Sequence, residues 1–269
     1  MTDNKTDLSK AARTAEQAAY AAGTHLQASR SRLSEVLITH QRPQDVVAVI
    51  DAEVQALVRD VVQRRFPDHG FVAEGGGAVD PMVADDGRPH WIVDPIDGSA
   101  NYLRGYPQYA VSIALIEAGE PQIGVVYDPC RNEFFGAIRG RGAVLNGEPI
   151  RCGKRRGALV SLAATVFPKP ASARMPLYMA ELGRVLRGFG GVRRSGSMAL
   201  ELAYLAAGRI DAFWEHDAGA WSTAAGIALL RESGALVSAR DGRPLLASAS
   251  LLACTPQLYE PFLSLLAEP

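Results

Sequence analysis

The stretch Trp91-Ile92-Val93-Asp94-Pro95-Ile96-Asp97-Gly98-Ser99 decides how this chain is read. Trp91 to Val93 form a short β-rich run, and a strand is expected to close on Asp94-Pro95. Pro95 fixes its own φ and supplies no N–H, so a sheet ladder cannot simply continue through it. Gly98 permits a left-handed backbone or a close approach to a ligand, and Ser99 is placed to cap a following turn. Two carboxylates beside the free N–H groups of a helix start suit a cation on the carboxylates and a phosphate on the N–H groups. A strand end with an Asx-turn and an N-cap is the plainer use of the same residues.

Working outward, apolar residues recur at helical spacing over 8–31 and over 52–65, the second with Val54, Leu57, Val58, Val61 and Val62. The breaker run 66–70 stops that helix. A short segment, Phe71 to Glu74, then leads into Gly75-Gly76-Gly77, expected to be a loop. Strands are expected at 109–116, 122–127, 133–138 and 142–147. The basic stretch 151–157 reads as a solvated linker between halves, not a nucleic-acid patch, because no aromatic residue interleaves its charges. Beyond it, strand-like runs (159–166, 191–194, 210–214, 235–238, 251–254) alternate with helical ones (176–187, 197–207, 222–233, 261–267). The pattern predicts an α+β half, 1–150, followed by an α/β half, 151–269.

Composition narrows the class. The 269 residues, 48% apolar and 21% charged, suit a globular protein able to bury a large core. A net charge of −1 gives no reason to expect nucleic acid, yet leaves room for a small anionic substrate. Cys130, Cys152 and Cys254 are too scattered for a disulfide framework or a zinc site. His25, His40, His69, His90 and His216 show no metal-ligand spacing and read as surface or loop histidines. The polar start and the lack of about 18 consecutive apolar residues predict a cytoplasmic protein without membrane contact.

The string from Trp91 through Asn101-Tyr102 resembles the defining motif of the inositol monophosphatase family, within the lithium-sensitive, magnesium-dependent phosphatase superfamily. Four further segments carry the resemblance along the chain. Val49-Ile50-Asp51 is similar to a Thr-Asp segment near the metal site, and Glu74 stands where the family has the first residue of a Glu pair. Arg193-Arg194-Ser195-Gly196-Ser197 resembles the Arg-x-x-Gly-Ser/Thr segment of the substrate pocket. Gly208 to Glu215 resembles the stretch leading to a substrate-contacting Glu. The resemblance implies a layered α-β-α-β-α sandwich of the inositol monophosphatase and fructose-1,6-bisphosphatase type. The metal site would lie in the first half and the substrate contacts in the second.

It also implies roles. Glu74, Asp94, the carbonyl of Ile96, and Asp97 would hold Mg²⁺, a cation that prefers oxygen ligands. Glu74, helped by the Ser99 hydroxyl and with Asp51 close by, would activate the attacking water. Gly98 and Ser99 would hold phosphate oxygens through their N–H groups, with Asp97, Gly196, Ser197 and Glu215 completing the substrate site. The expected substrate is a small phosphorylated metabolite, a polyol phosphate with inositol monophosphate favoured, and the expected assembly is a homodimer.

Two departures stand out. The second Glu of the family pair is Gly75 here. The family's Trp-Asp pair, whose Asp binds a second metal, is Trp221-Ser222. Ser caps a helix about as well as Asp does, so the helix is expected to survive with Ser222 as its cap. A neutral hydroxyl does not replace an anionic ligand, so the second metal is expected to bind weakly or only with substrate phosphate, Asp217 being one possible substitute. A homologue with weakened catalysis, acting as a binding or regulatory protein, is the alternative.

Overall fold

The computed structural model describes residues 6–33, 43–74, 87–155, 157–168 and 171–267. Gly75, Gly76 and Gly77, and with them the departure at position 75, lie outside the described residues, as does His40.

Two long helices open the chain. Asp7 caps α1 (Leu8–Ala28), its Oδ1 accepting N–H groups from Ser9 and Lys10 at 2.9 and 3.0 Å. Helix α2 (Pro43–Arg65) begins nine residues ahead of the expected start at 52, because Pro43 suits a first turn and Val47 and Ile50 extend the buried stripe. A seven-stranded sheet follows in sequential order: β1 (Gly70–Ala73), β2 (His90–Asp97), β3 (Ala110–Glu117), β4 (Glu120–Asp128), β5 (Glu133–Ile138), β6 (Gly142–Leu145) and β7 (Glu148–Ile150). Only the β1–β2 pair is parallel; the rest form an antiparallel meander.

The second sheet has the order β11-β12-β10-β8-β9. Its strands are β8 (Leu162–Thr165), β9 (Gly191–Arg193), β10 (Ala212–Glu215), β11 (Leu236–Ala239) and β12 (Leu251–Cys254). Helices α4 (Met175–Gly188), α5 (Met198–Ala206), α6 (Ala220–Ser233) and α7 (Tyr259–Ala267) complete the chain, after the short α3 (Ser99–Arg104). The segment 151–155 is held down: Arg151 donates to the Glu232 carbonyl and Arg155 to Asp211.

Strand alternation sorts the side chains into three cores. Trp91, Val93, Val111, Ile113 and Leu115 pack under the alanines of α1 and the valines of α2. Ile92, Ala114 and Val126 point the other way, onto α5 and α6, which also cover Ala164, Phe213 and Ala253 of the second sheet. The outer face of that sheet, Ala163, Trp214, Leu252 and Cys254, is closed by α4 and α7. The layers therefore run helix, sheet, helix, sheet, helix. The middle layer lies close against the first sheet, where a side chain at Gly124 would run into the Ala225 backbone.

Candidate active site

Strand β2 does not close at Asp94-Pro95 but continues to Asp97. Its pairing with β3 shifts between Asp94↔Ser112 and Asp97↔Ala110, so Pro95 and Ile96 share one opposing position. This bulge absorbs the donor that Pro95 lacks. It also has a chemical consequence. In a regular strand, residues three apart face opposite ways; the extra residue restores the phase, and Asp94 and Asp97 both turn toward the middle helices.

There each is held. Asp97 Oδ2 accepts a short hydrogen bond from the Ser197 hydroxyl and one from the Ala199 N–H at 2.9 Å, at the start of α5. Asp94 Oδ2 accepts from the Ser222 hydroxyl at 2.7 Å, and its Oδ1 from the Ile96 N–H at 3.2 Å, an Asx-type contact. Ser222 is not the cap of α6; Gly219 occupies that position, and Ser222 sits in the first turn with its hydroxyl turned to Asp94.

Glu74 reaches the same place through register. The parallel pairing runs Gly70↔His90 to Ala73↔Val93, and the Glu74 N–H meets the Val93 carbonyl at 3.2 Å. The spacing of twenty residues thus brings Glu74 out beside Asp94, where β1 ends against the bulge of β2. Burial, then the charges of Asp97 and Glu74, push the Asp94 carboxyl well above the usual range, against the Ser222 hydrogen bond. Burial raises Asp97 to about 6 despite its donors. Asp51, on α2, is also raised to about 6, by burial and by Glu74.

The turn after Asp97 differs from expectation at one position. Gly98, not Ser99, caps α3, with φ of 91° and no side-chain cap bond, so Ser99 is the first helical residue and is exposed. A side chain at Gly98 would lie 2.9 Å from the Gln108 carbonyl oxygen and 3.3 Å from that of Gly196. Asn101, quoted in the motif but given no role by the sequence, fixes this contact: its Nδ2 donates to Gln108 O at 2.7 Å and to Ser195 O at 2.8 Å. A polar side chain one turn past a glycine was the only hint of it.

Asp51, Glu74 and Ser99 line one cleft of about 700 Å³, with Gln44, Gln55 and Arg104 on its walls. Asp94, Ile96 and Asp97 are buried behind it, and Gly98 abuts Gly196 and Ser197. Glu215 stands apart at the end of β10, 2% exposed, its Oε1 accepting the Asp217 N–H at 2.8 Å. Its Oε2 is buried without a partner among the described residues, and burial raises its pKa. Asp217 faces Arg174, with 4.0 Å between Oδ1 and Nε.

Among the described residues no three acidic, His or Cys side chains close round a point as a ready-made metal cluster. The donors at hand are carboxylate and carbonyl oxygens, a hard-cation set, and burial, with like charges beside it, raises the Asp51 and Asp94 carboxyls. The set fits such a cation, while position 222 contributes a hydroxyl already given to Asp94. Two histidines depart from expectation: His90 and His216 are buried, and His216 is hydrogen-bonded to Glu181.

Such a five-layered fold, with paired carboxylates behind a glycine turn, defines a class to which comparison adds the name. A model described as the inositol monophosphatase family matches residues 7–268, and the chain belongs to that family. It is 35% identical over 249 residues to the Nus factor SuhB of Pasteurella multocida, covering 92% of each chain. It is 36% identical to the inositol-1-monophosphatase of Rhizobium meliloti, covering 84% of each. Among solved structures, inositol monophosphatase from Anabaena superposes with a TM-score of 0.83 at 34% identity, over 97% of this chain and 96% of that one. Mycobacterium tuberculosis SuhB gives 0.81 at 30%, over 97% of each. Membership supports phosphate-ester hydrolysis in general, within a family that is generally metal-dependent. Among the described residues no helix is long and apolar enough to cross a membrane.

Proposed function

We propose that this protein is a magnesium-dependent phosphomonoesterase acting on a small polyol phosphate, with inositol monophosphate the favoured substrate. The observation that carries the reading is the bulge in β2, which turns Asp94 and Asp97 to one side just before the Gly98 turn. Relatives named inositol-1-monophosphatase support the substrate class.

Glu74, Asp94, the Ile96 carbonyl and Asp97 would hold Mg²⁺, which supplies Lewis acidity and makes a water more acidic. Glu74, exposed in the cleft beside the half-buried Asp51, takes the proton of the attacking water, which the Ser99 hydroxyl orients. The water oxygen bonds to phosphorus as the ester P–O bond breaks, and the alcohol oxygen leaves with a proton from solvent in the open cleft. The N–H groups of Gly98 and Ser99 hold phosphate oxygens at the start of α3. Glu215 Oε2 accepts a hydroxyl of the organic part, which gives that buried oxygen a partner. The first half, 1–150, carries the chemistry and 151–269 the recognition, in a homodimer.

Phosphate release from a panel of inositol and sugar phosphates, with and without Mg²⁺, tests the reading. Turnover that needs Mg²⁺ and favours polyol phosphates is expected; no turnover with any ester would refute it. One observation favours a second reading, a homologue that binds rather than turns over: the Ser222–Asp94 hydrogen bond occupies an oxygen that a second cation would need. Binding of a polyol phosphate without release of phosphate would select it.

A further inference from the structure

Behind Glu215 lies a buried charged network that the chemistry above leaves unused. Glu181, on α4, is fully buried. Its Oε2 accepts from His216 Nε2 at 2.6 Å and its Oε1 from Arg240 Nη1 at 2.7 Å. Arg240 and His216 Nε2 approach to 3.4 Å as two donors round one carboxylate. His216 directly follows Glu215 at the end of β10, and Arg240 directly follows β11. On the outer side, Arg174 donates to the His216 carbonyl at 2.8 Å.

The arrangement bolts the segment 215–217 from both sides. The His216 side chain is tied inward to α4, its carbonyl is tied to Arg174, and the Asp217 N–H returns to Glu215 Oε1. With Oε1 so engaged, Oε2 is left buried and without a partner among the described residues. Replacing a whole buried ion pair by well-packed apolar residues is often neutral or stabilising, so an apolar core would serve stability as well; a fork of directional bonds fixes an angle.

We propose that Glu181, His216 and Arg240 are positioning residues for Glu215, and that they set the affinity for substrates whose alcohol carries further hydroxyl groups. The inference rests on the phosphatase reading with Glu215 as hydroxyl acceptor. Two esters separate the effects: inositol monophosphate, and phenyl phosphate, whose alcohol has no further hydroxyl. His216→Leu raises KM for the inositol ester about tenfold with kcat little changed, and leaves phenyl phosphate unaffected. His216→Gln, which keeps a donor within reach of Glu181, restores most of the loss. Arg240→Met, at a partly exposed position, gives the same selective rise and serves if His216→Leu does not fold.

Equal effects on both esters, or equal loss in the Leu and Gln variants, would overturn the positioning role while leaving the phosphatase reading intact. Absence of turnover by the unsubstituted protein with either ester would refute that reading, and this inference with it.

Discussion

The hydroxyl of Ser222 donates a 2.7 Å hydrogen bond to Oδ2 of Asp94 across 128 residues of sequence, joining the first turn of α6 to the bulge of β2. The bond satisfies a buried carboxylate oxygen from within the protein, where a carboxylate at 222 would instead add charge and call for a cation. Position 222 thus meets Asp94 with a neutral donor, not with a second negative charge. That difference sets the first expectation.

Ser222→Asp places two carboxylates within hydrogen-bonding distance of each other. In the absence of metal the variant is less stable than the parent, through like-charge repulsion. Magnesium raises its Tm by more than it raises the parent's. Titration calorimetry gives about one ion per chain in the parent and about two in the variant, and phosphate release rises about tenfold or more. Equal stoichiometry in both proteins would sink the idea that position 222 limits metal binding.

Gly98→Ala tests the turn. With φ at 91°, a Cβ is strained whatever space surrounds it, and here it also meets the Gln108 carbonyl oxygen at 2.9 Å. A loss of about 1–3 kcal/mol in urea unfolding is expected, with a fall in kcat as the N–H groups of α3 move. Unchanged stability would mean the turn is less confined than its contacts imply.

Glu74→Gln separates chemistry from folding. Glu74 is exposed just past β1 and its charge opposes those of Asp94 and Asp51, so its substitution leaves the urea midpoint unchanged or slightly higher. Phosphate release falls by about a hundredfold or more, through loss of both a cation ligand and the proton acceptor. Retained turnover would move both roles to another group.

The buried Glu181 network predicts a pH dependence. Burial alone would raise the Glu181 carboxyl, but hydrogen bonds from His216 and Arg240 outweigh it and hold it below its ordinary value of 4.5. A depressed folded value means the carboxylate stabilises the fold fully above the unfolded value, and that this stability is lost as pH falls through the folded one. Urea midpoints between pH 6 and 3 should therefore fall more steeply in the parent than in Glu181→Gln. Parallel curves would show that the carboxylate is not linked to folding.

Much of this molecule was legible before any contact was known. Helices α1 and α4, strands β5 and β12, and the string from Trp91 to Tyr102 depend on local periodicity and on turn-forming residues, and these act over a few positions. The family follows from that string for the same reason, since an acidic strand end and a glycine turn must stand in fixed order to work. Even the twenty residues from Glu74 to Asp94 were readable as a spacing.

What tertiary structure alone decided is how those residues face. Asp94 and Asp97 share a side only because Pro95 and Ile96 oppose a single residue of β3. Ser222 could cap a helix or clamp a carboxylate, and the distance to Asp94 chose the clamp. His216 has no local mark of burial; the outer core of the second sheet and the Glu181 carboxylate enclose it. The reason is common to all three. Hydrogen-bond direction and burial are set by groups that meet only when the layers stack, and so lie beyond the reach of any local pattern.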